Sequence, residues 1–574
     1  MKTTKLAHTF GLATRLALAP LAGVSFVALT TGTLAGCADE NDPKTWVKRL
    51  DDPAQRPQAV KRLQAFFEDG LRKADNNRDD PKFKALLDDI VEPLTKQYTA
   101  GNIPDEKTRK ELIKFLADTS DPRTAPALAK ALNDYEPKKS EEDVKAAALA
   151  TKNLANAGKL TDQPLIDALW SCFSKFRASQ TQSIQLVTAL HDAVLAVKHP
   201  SYGPKAVEKL ASPVDMKSPE SQRDHIQFWQ LTSVQLIGEL KYGPAAKALV
   251  VMLLTPSKAD LRAPVRTALL KMPKEAEGPL IAAMRGTDPE FAKLAADYPD
   301  KAHVAVLAES LSYLSRPATR DAMLEALAAA DNDQNRTVLA MHLIHFPTEQ
   351  KIVDAYLAAY GKVAAAAAIP LMGGANGRAI LVQTASHFYD PKLTDWVLKE
   401  KASAKGVDAD AMTPAAFDAA TKLMTVEQVK AVGAAVGRID GPATEKDKYN
   451  AASKVTDRCK ADAACYVKYL DEPIPSSPET AKMGAIKACW MAAILGNEQT
   501  RKDLIGKVDK IKDGSVRLTL VEAIDHLSPK GDVSGAEVLE KIVEADKASG
   551  NKLLLQSDDA VAKTALKLRS RAAQ

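Results

Sequence analysis

Lys351-Ile352-Val353-Asp354-Ala355-Tyr356-Leu357 decides the fold. Asp354 follows two apolar residues, and another apolar residue, Tyr356, stands two places after it. The pattern returns in Leu165-Ile166-Asp167-Ala168-Leu169 and in Ala206-Val207-Glu208-Lys209-Leu210. Its centres are Lys130, Asp167, Glu208, Lys247, Ala282, Asp321, Asp354, Asp395, Lys430, Lys468, Asp503 and Glu540. Successive spacings are 37, 41, 39, 35, 39, 33, 41, 35, 38, 35 and 37 residues, and an apolar residue follows each centre by two places. A period of that size marks stacked repeats, each burying its apolar face on its neighbours.

Each repeat reads as helix A, a tight turn, helix B and a variable loop. Helix B carries the column of centres and has Pro in its first turn at Pro126, Pro164, Pro204, Pro244, Pro279, Pro317 and Pro391. Proline is tolerated there because the first helical N–H has no intrahelical acceptor. Helix A shows in Phe228 to Leu240, Val338 to Phe346 and Met483 to Leu495, where apolar residues recur at helical spacing. No run alternates like a strand with hairpin turns between. Glu136–Asp143, Met216–Glu220, Lys401–Pro414 and the stretch from Ala364 to Gly377 are expected as loops.

Such two-helix units with irregular spacing resemble HEAT repeats, firmly from Pro122 onward and more loosely over residues 43–120. Tetratricopeptide repeats fit less well, because they hold a rigid period and need a Trp/Leu-Gly/Tyr ladder that is missing. The resemblance implies an all-α, right-handed superhelix of about 12–14 helix pairs acting as a protein-binding scaffold. In HEAT-like superhelices helix B lines the concave face. That places the consecutive acids Asp321, Asp354 and Asp395 in the groove, where they would bind a basic peptide.

The composition suits this reading. Hydrophobic residues make up 45% and aromatics only 5%, which favours closely packed helices over sheets. Without Lys2, Lys5 and Arg15 the formal charge of +5 falls by three to +2. A mixed surface of that kind is not a nucleic-acid footprint.

Residues 1–15 form a basic start, and Leu16 to Leu29 an apolar run, followed by Leu34-Ala35-Gly36-Cys37. The four residues resemble the lipobox of bacterial lipoproteins, which implies cleavage before Cys37 and lipidation of its thiol and new amino group. The divisions expected are therefore a signal peptide over 1–36, a short tether over 37–42, irregular helices over 43–120 and the repeat solenoid over 121–574. Ala38 after the cysteine points to the outer membrane by the enteric sorting rule.

Chemistry is sparse. Gly373-Gly374-Ala375-Asn376-Gly377-Arg378 lacks the ending of a phosphate loop. Asp331-Asn332-Asp333-Gln334-Asn335 and Asp75-Asn76-Asn77-Arg78-Asp79 lack the glycine and glutamate of a calcium loop and read as helix caps. His342 and His345 share a helix face without a third ligand, and no nucleophile motif is present. No enzyme activity, metal or cofactor is expected. Cys459 and Cys465 flank a short turn in a chain read as exported, so a disulfide is expected there; Cys172 and Cys489 lie on apolar stretches and read as buried thiols. The function expected is an envelope lipoprotein scaffold with a protein partner. The alternatives are a brace to the cell wall or a HEAT-like enzyme subunit.

Overall fold

The computed structural model describes residues 39–437, 443–550 and 554–573; Cys37 and the segment before it lie outside them. The chain divides into two compact units, one ending at Pro93 and one running from Leu94 to the C-terminus. In the first, α1 (Pro43–Arg49), α2 (Arg56–Lys73) and the start of α3 (Pro81–Thr99) enclose Trp46, Leu63, Phe67 and Phe83. Asp42 caps α1 by accepting from the Lys44 N–H, and Asp80 caps α3 in the same way.

The second unit alternates two layers of helices. The B layer holds α5 (Ala125–Asn133), α7 (Gln163–Lys175), α9 (Tyr202–Leu210), α12 (Ala246–Leu254) and α14 (Pro273–Arg285). It continues in α17 (Pro317–Ala328), α19 (Gln350–Lys362), α21 (Leu393–Ser403), α23 (Val429–Gly437), α25 (Ala463–Tyr469), α27 (Glu498–Ile505) and α29 (Val533–Ser549). The A layer holds α4 (Glu106–Thr119), α6 (Glu141–Asn156), α8 (Ile184–Val197), α11 (Leu231–Leu240), α13 (Arg262–Leu270) and α16 (His303–Leu314). Its remaining members are α18 (Asp333–His342), α20 (Gly377–Thr384), α22 (Val407–Leu423), α24 (Ala443–Cys459), α26 (Pro478–Leu495), α28 (Gly514–His526) and α30 (Leu555–Ala572). Two short helices, α10 (Pro219–Asp224) and α15 (Pro289–Ala295), fill connections.

Each A helix packs on the A helices beside it, and most also pack on a B helix that adjoins them in sequence. That nearest-neighbour order makes the fold an all-α, HEAT-like solenoid. Every centre of the twelve-fold column falls on a B helix. Asp321, Asp354 and Asp395 are exposed, whereas Leu169, Leu210, Leu249, Met323, Tyr356, Val397 and Val432, two places after their centres, are buried. The period is thus a register signal: one solvated residue and one core residue, fixed by half a helical turn.

Several boundaries differ from those expected. Pro279 is not in the first turn of its helix but inside α14, where Pro273 already takes the N-terminal place. The expected loop from Lys401 to Pro414 shrinks to residues 404–406, because α22 starts at Val407 and runs through Pro414. The stretch after Ala364 is not a plain loop. Ala368–Ile369 (β1) pairs antiparallel with Ala375–Asn376 (β2), and the buried Asp408 carboxylate accepts from the Ala366 N–H and the Asn376 amide. Those polar partners hold a hairpin too short to be seen as an alternating pattern. Asn332 accepts from the Asn335 N–H and caps α18, so Asp331–Asn335 serves as a helix cap.

Stacked repeats pack chiefly on their neighbours in sequence, yet the C-terminal helix α30 also returns to α16 and α13. The tie is Arg571, 3% exposed. Its Nε donates to Ser315 Oγ (2.9 Å), Nη2 to the His345 carbonyl (2.9 Å), and Nη1 to the carbonyls of Asp525 (2.9 Å) and Ser528 (3.1 Å). Ser570 Oγ donates to the Leu314 carbonyl at 2.6 Å, and Arg316 reaches back to the Ser570 carbonyl. Gly531 (φ +80°) lies against the last turns of α30, where a Cβ would stand 2.4 Å from the Ala572 nitrogen. The A helices from α16 to α30 therefore close on themselves.

Arg571→Ala leaves three carbonyls and the Asp525 carboxylate short of a donor. It should lower unfolding stability by about 3–5 kcal/mol, the cost of removing one partner from a buried charge network. Urea unfolding followed by circular dichroism measures this, with Lys563→Ala, a surface pair to Asp559, expected within about 0.5 kcal/mol of wild type.

Candidate functional site: a cleft on the inner face of the A layer

Closure of the A layer brings side chains of non-neighbouring repeats together. Tyr389, just after the short helical turn Ala385–Phe388, stacks on Trp490 of α26 (ring centroids 4.4 Å apart) and on His526 of α28 (4.2 Å). His387 stands edge-on to Trp490 at 5.1 Å. Tyr313 of α16 stacks on His345 at 4.7 Å, and His342 lies 5.7 Å from His345. The inner face is therefore built by A helices, not by helix B as the HEAT resemblance implies.

A cleft of about 500 Å³ opens on this face, within the range of ligand sites. Its apolar wall is Met483, Ile486, Trp490 and Leu518, the last 44% exposed. Its charged wall comes from α22, α24 and α26. Lys422 Nζ lies 2.8 Å from Asp418 and 5.3 Å from the Trp490 ring; Lys448 pairs with Glu445 at 2.9 Å, and Lys482 faces Asp513 at 3.7 Å. Lys487 is buried behind the cleft and donates to the carbonyls of Thr421 (2.9 Å), Lys422 (2.9 Å) and Met424 (2.6 Å). It satisfies the carbonyls that the end of α22 leaves open, and burial pulls its ammonium pKa far down.

At the floor, Glu522 and His387 separate this cleft from a chamber of about 70 Å³ lined by His345, Tyr389, Asp525, His526 and Arg571. His387 Nδ1 stands 3.8 Å from Glu522 Oε2, and the Glu522 carboxyl has no hydrogen bond among the described residues. Protein surrounds it, although about a third of its side-chain surface still faces the cavity (35%). Burial pushes its pKa up to about 7; Lys422 and Lys567 pull the other way without prevailing, and Asp525 adds to the rise. Asp525 behaves differently. Burial would raise it, but Arg571 and Lys567 outweigh that and hold it below the usual carboxylate range. Burial also keeps the imidazoles neutral, with His387 at about 3, His342 and His526 at about 4, and His345 well below its ordinary value.

Asp321, Asp354 and Asp395 stand on α17, α19 and α21 in the B layer, away from this cleft. Asp321 is held by Arg320 (2.9 Å) and Lys351 (3.3 Å), which lower its pKa. Asp354 accepts from Gln350 at 2.8 Å. Lys351 thus neutralises the top of the strip. Cys459 and Cys465 are joined across the turn between α24 and α25, and Cys172 and Cys489 are buried thiols. No group of three or more metal-ligating side chains occurs among the described residues. None of their helices is long and apolar enough to cross a membrane.

The cleft residues are spread from His387 to Glu522 and carry no shared motif. The one sign in the sequence is Glu522 and Asp525 interrupting the apolar face of α28, beside Val521 and Ile524.

No protein-family model matches the chain, and no curated protein matches it by sequence. Among solved structures it is similar to importin beta crystallised in an ammonium sulfate condition. The identity is 10% and the TM-score 0.29, over 92% of this chain and 74% of that one. A likeness so remote carries no inference about function.

The neutral imidazoles set an acid limit. Their folded pKa values lie below the unfolded value of about 6.5, so the stability they contribute is present above that pH and is lost as pH falls through about 4. Glu522 has the opposite sign, since its raised pKa favours the folded state most below about 4.5 and less as pH rises through 7. Four imidazoles outweigh one carboxyl. The urea midpoint should fall between pH 7 and 4.5, and His526→Gln should flatten that fall.

The disulfide closes a short loop and should contribute about 2 kcal/mol by chain entropy. Cys459→Ser with Cys465→Ser should lower the urea midpoint accordingly, while dithiothreitol leaves the double variant unchanged.

Proposed function

We propose that this protein is a lipid-anchored scaffold of the bacterial cell envelope, held on the outer membrane through Cys37, whose inner cleft receives a segment of a partner polypeptide. The observation that carries the binding reading is the cleft itself. An apolar wall of Met483, Ile486, Trp490 and the exposed Leu518 faces a wall of paired charges. Apolar area gives such a site its affinity and polar groups its register. The anchor rests on Leu34-Ala35-Gly36-Cys37 alone. The acidic column of the B layer is a solvated face in this reading, since exposed pairs contribute only about 0–1 kcal/mol each.

A second reading, acid–base catalysis, is favoured by the Glu522 carboxyl near neutrality beside His387. It lacks a nucleophile held by either group among the described residues, and we place it second.

Cys37→Ala should abolish incorporation of radiolabelled fatty acid and leave an unprocessed precursor; continued labelling would refute the anchor. For the cleft, a photo-crosslinking side chain at position 518 in the full chain should capture a polypeptide in intact envelopes. The same probe at position 354, on the B layer, should not. Capture at 354 alone, or of cell-wall glycan at 518, would overturn the polypeptide reading in favour of an outer-face scaffold or a cell-wall brace.

A further inference from the structure

We infer that the inner cleft recognises a cationic side chain, a lysine or arginine of the bound polypeptide, whose charged head is received by Glu522 and whose stem lies along Leu518 and Met483. This rests on the reading of the cleft as a polypeptide site and names what the site selects.

Charge pairing around the cleft leaves two carboxyls open among the described residues, Glu479 at the exposed rim and Glu522 at the floor, and only Glu522 is enclosed by protein. Lys422 belongs to Asp418, Lys448 to Glu445, Lys482 to Asp513, and Lys487 to three carbonyls. On the chamber side, Asp525 is taken by Lys567 and by Arg571 Nη1 at 3.0 Å. Each cation there already has an anion or carbonyl, whereas Glu522 has no hydrogen-bond donor among the described residues. Its neighbour His387 is neutral and stands 3.8 Å away. A carboxylate that protein shields over about two thirds of its surface and leaves without a partner is costly to ionise, and a cation brought by the ligand removes that cost. An anionic ligand would instead have to break one of the existing pairs.

The surroundings fit a long basic side chain. Trp490 is only 1% exposed and its ring already carries Lys422 at 5.3 Å, so the charged head is received by Glu522 and not by an aromatic face. Met483, Ile486 and the exposed Leu518 offer apolar contact to methylenes, as the stems of Lys and Arg prefer. Binding also has a proton balance. When Glu522 is protonated, docking of the cation releases that proton to solvent and leaves a carboxylate–cation pair. The other groups facing Glu522 stay fixed near neutrality: His387, His345 and His526 are neutral, and Asp525 stays ionised. Affinity should therefore rise with pH across neutrality, following Glu522 alone.

Three capped tripeptides test this on the full-length chain in detergent: Ala-Lys-Ala, Ala-norleucine-Ala and Ala-Glu-Ala. Binding is read from the 13C-methyl resonance of Met483, assigned with Met483→Leu. The lysine peptide should bind most tightly, and its affinity should rise by roughly tenfold between pH 6 and pH 8, as the ionised fraction of a carboxyl near pH 7 does. Glu522→Gln keeps the shape and should remove both the preference and the pH dependence. Circular dichroism and the urea midpoint confirm that this variant folds. If the norleucine peptide binds as well as the lysine peptide, the cation assignment is wrong while the polypeptide cleft stands. A preference for the glutamate peptide overturns the assignment in favour of the lysine wall. No shift with any peptide removes the polypeptide reading and this assignment together.

Discussion

A single guanidinium holds the inner face together. Arg571 gives hydrogen bonds to Ser315, His345, Asp525 and Ser528, so three helices distant in sequence share one charged group at the edge of the core. Arginine suits the place because its planar fork reaches several acceptors at once and stays charged when buried. The acceptors exist because helices end there. Ser315 caps α16 in the left-handed conformation, and Ser528 follows the last turn of α28. Helix termini leave carbonyls open, and the tie uses them.

The polar interior follows from that closure. An open stack of helix pairs would leave the inner ends of the A helices in water, where His342, His345, His387 and His526 would titrate like any exposed imidazole. Closed, the same residues are desolvated and neutral, and Glu522 is carried toward neutrality. Two carboxylates one helical turn apart on α28 thus diverge. Asp525 meets Arg571 and Lys567 and stays ionised, whereas Glu522 meets the neutral His387 imidazole and the cleft. The chamber behind them has room for a few waters at most, whereas the cleft in front has room for a side chain.

The B layer does a different job. Among the described residues, half of its twelve centres stand in ion pairs: Lys130 with Asp134, Asp167 with Lys205, Lys247 with Asp288, Asp321 with Lys351, Lys468 with Glu472, and Glu540 with Arg569. A conspicuous regularity in sequence is here a record of helix register, since each repeat must expose one residue and bury the one two places later. The residues that shape the cleft follow no such rule, because each repeat contributes a different side chain to it.

The sequence by itself determined the helical class, the repeat period and the B-helix register at all twelve centres, for these depend on spacing within one or two turns. It also placed Cys459 and Cys465 across one turn and Cys172 and Cys489 on buried faces. It could not assign the inner face to the A layer, nor bring Trp490, Tyr389 and His526 into one stack. Curvature is the sum of small rotations at every helix–helix contact, set by packing volumes that no local pattern encodes. Only when α30 met α16 did residues about 250 positions apart become neighbours, and only then did Glu522 acquire the desolvated, unpaired environment that singles it out.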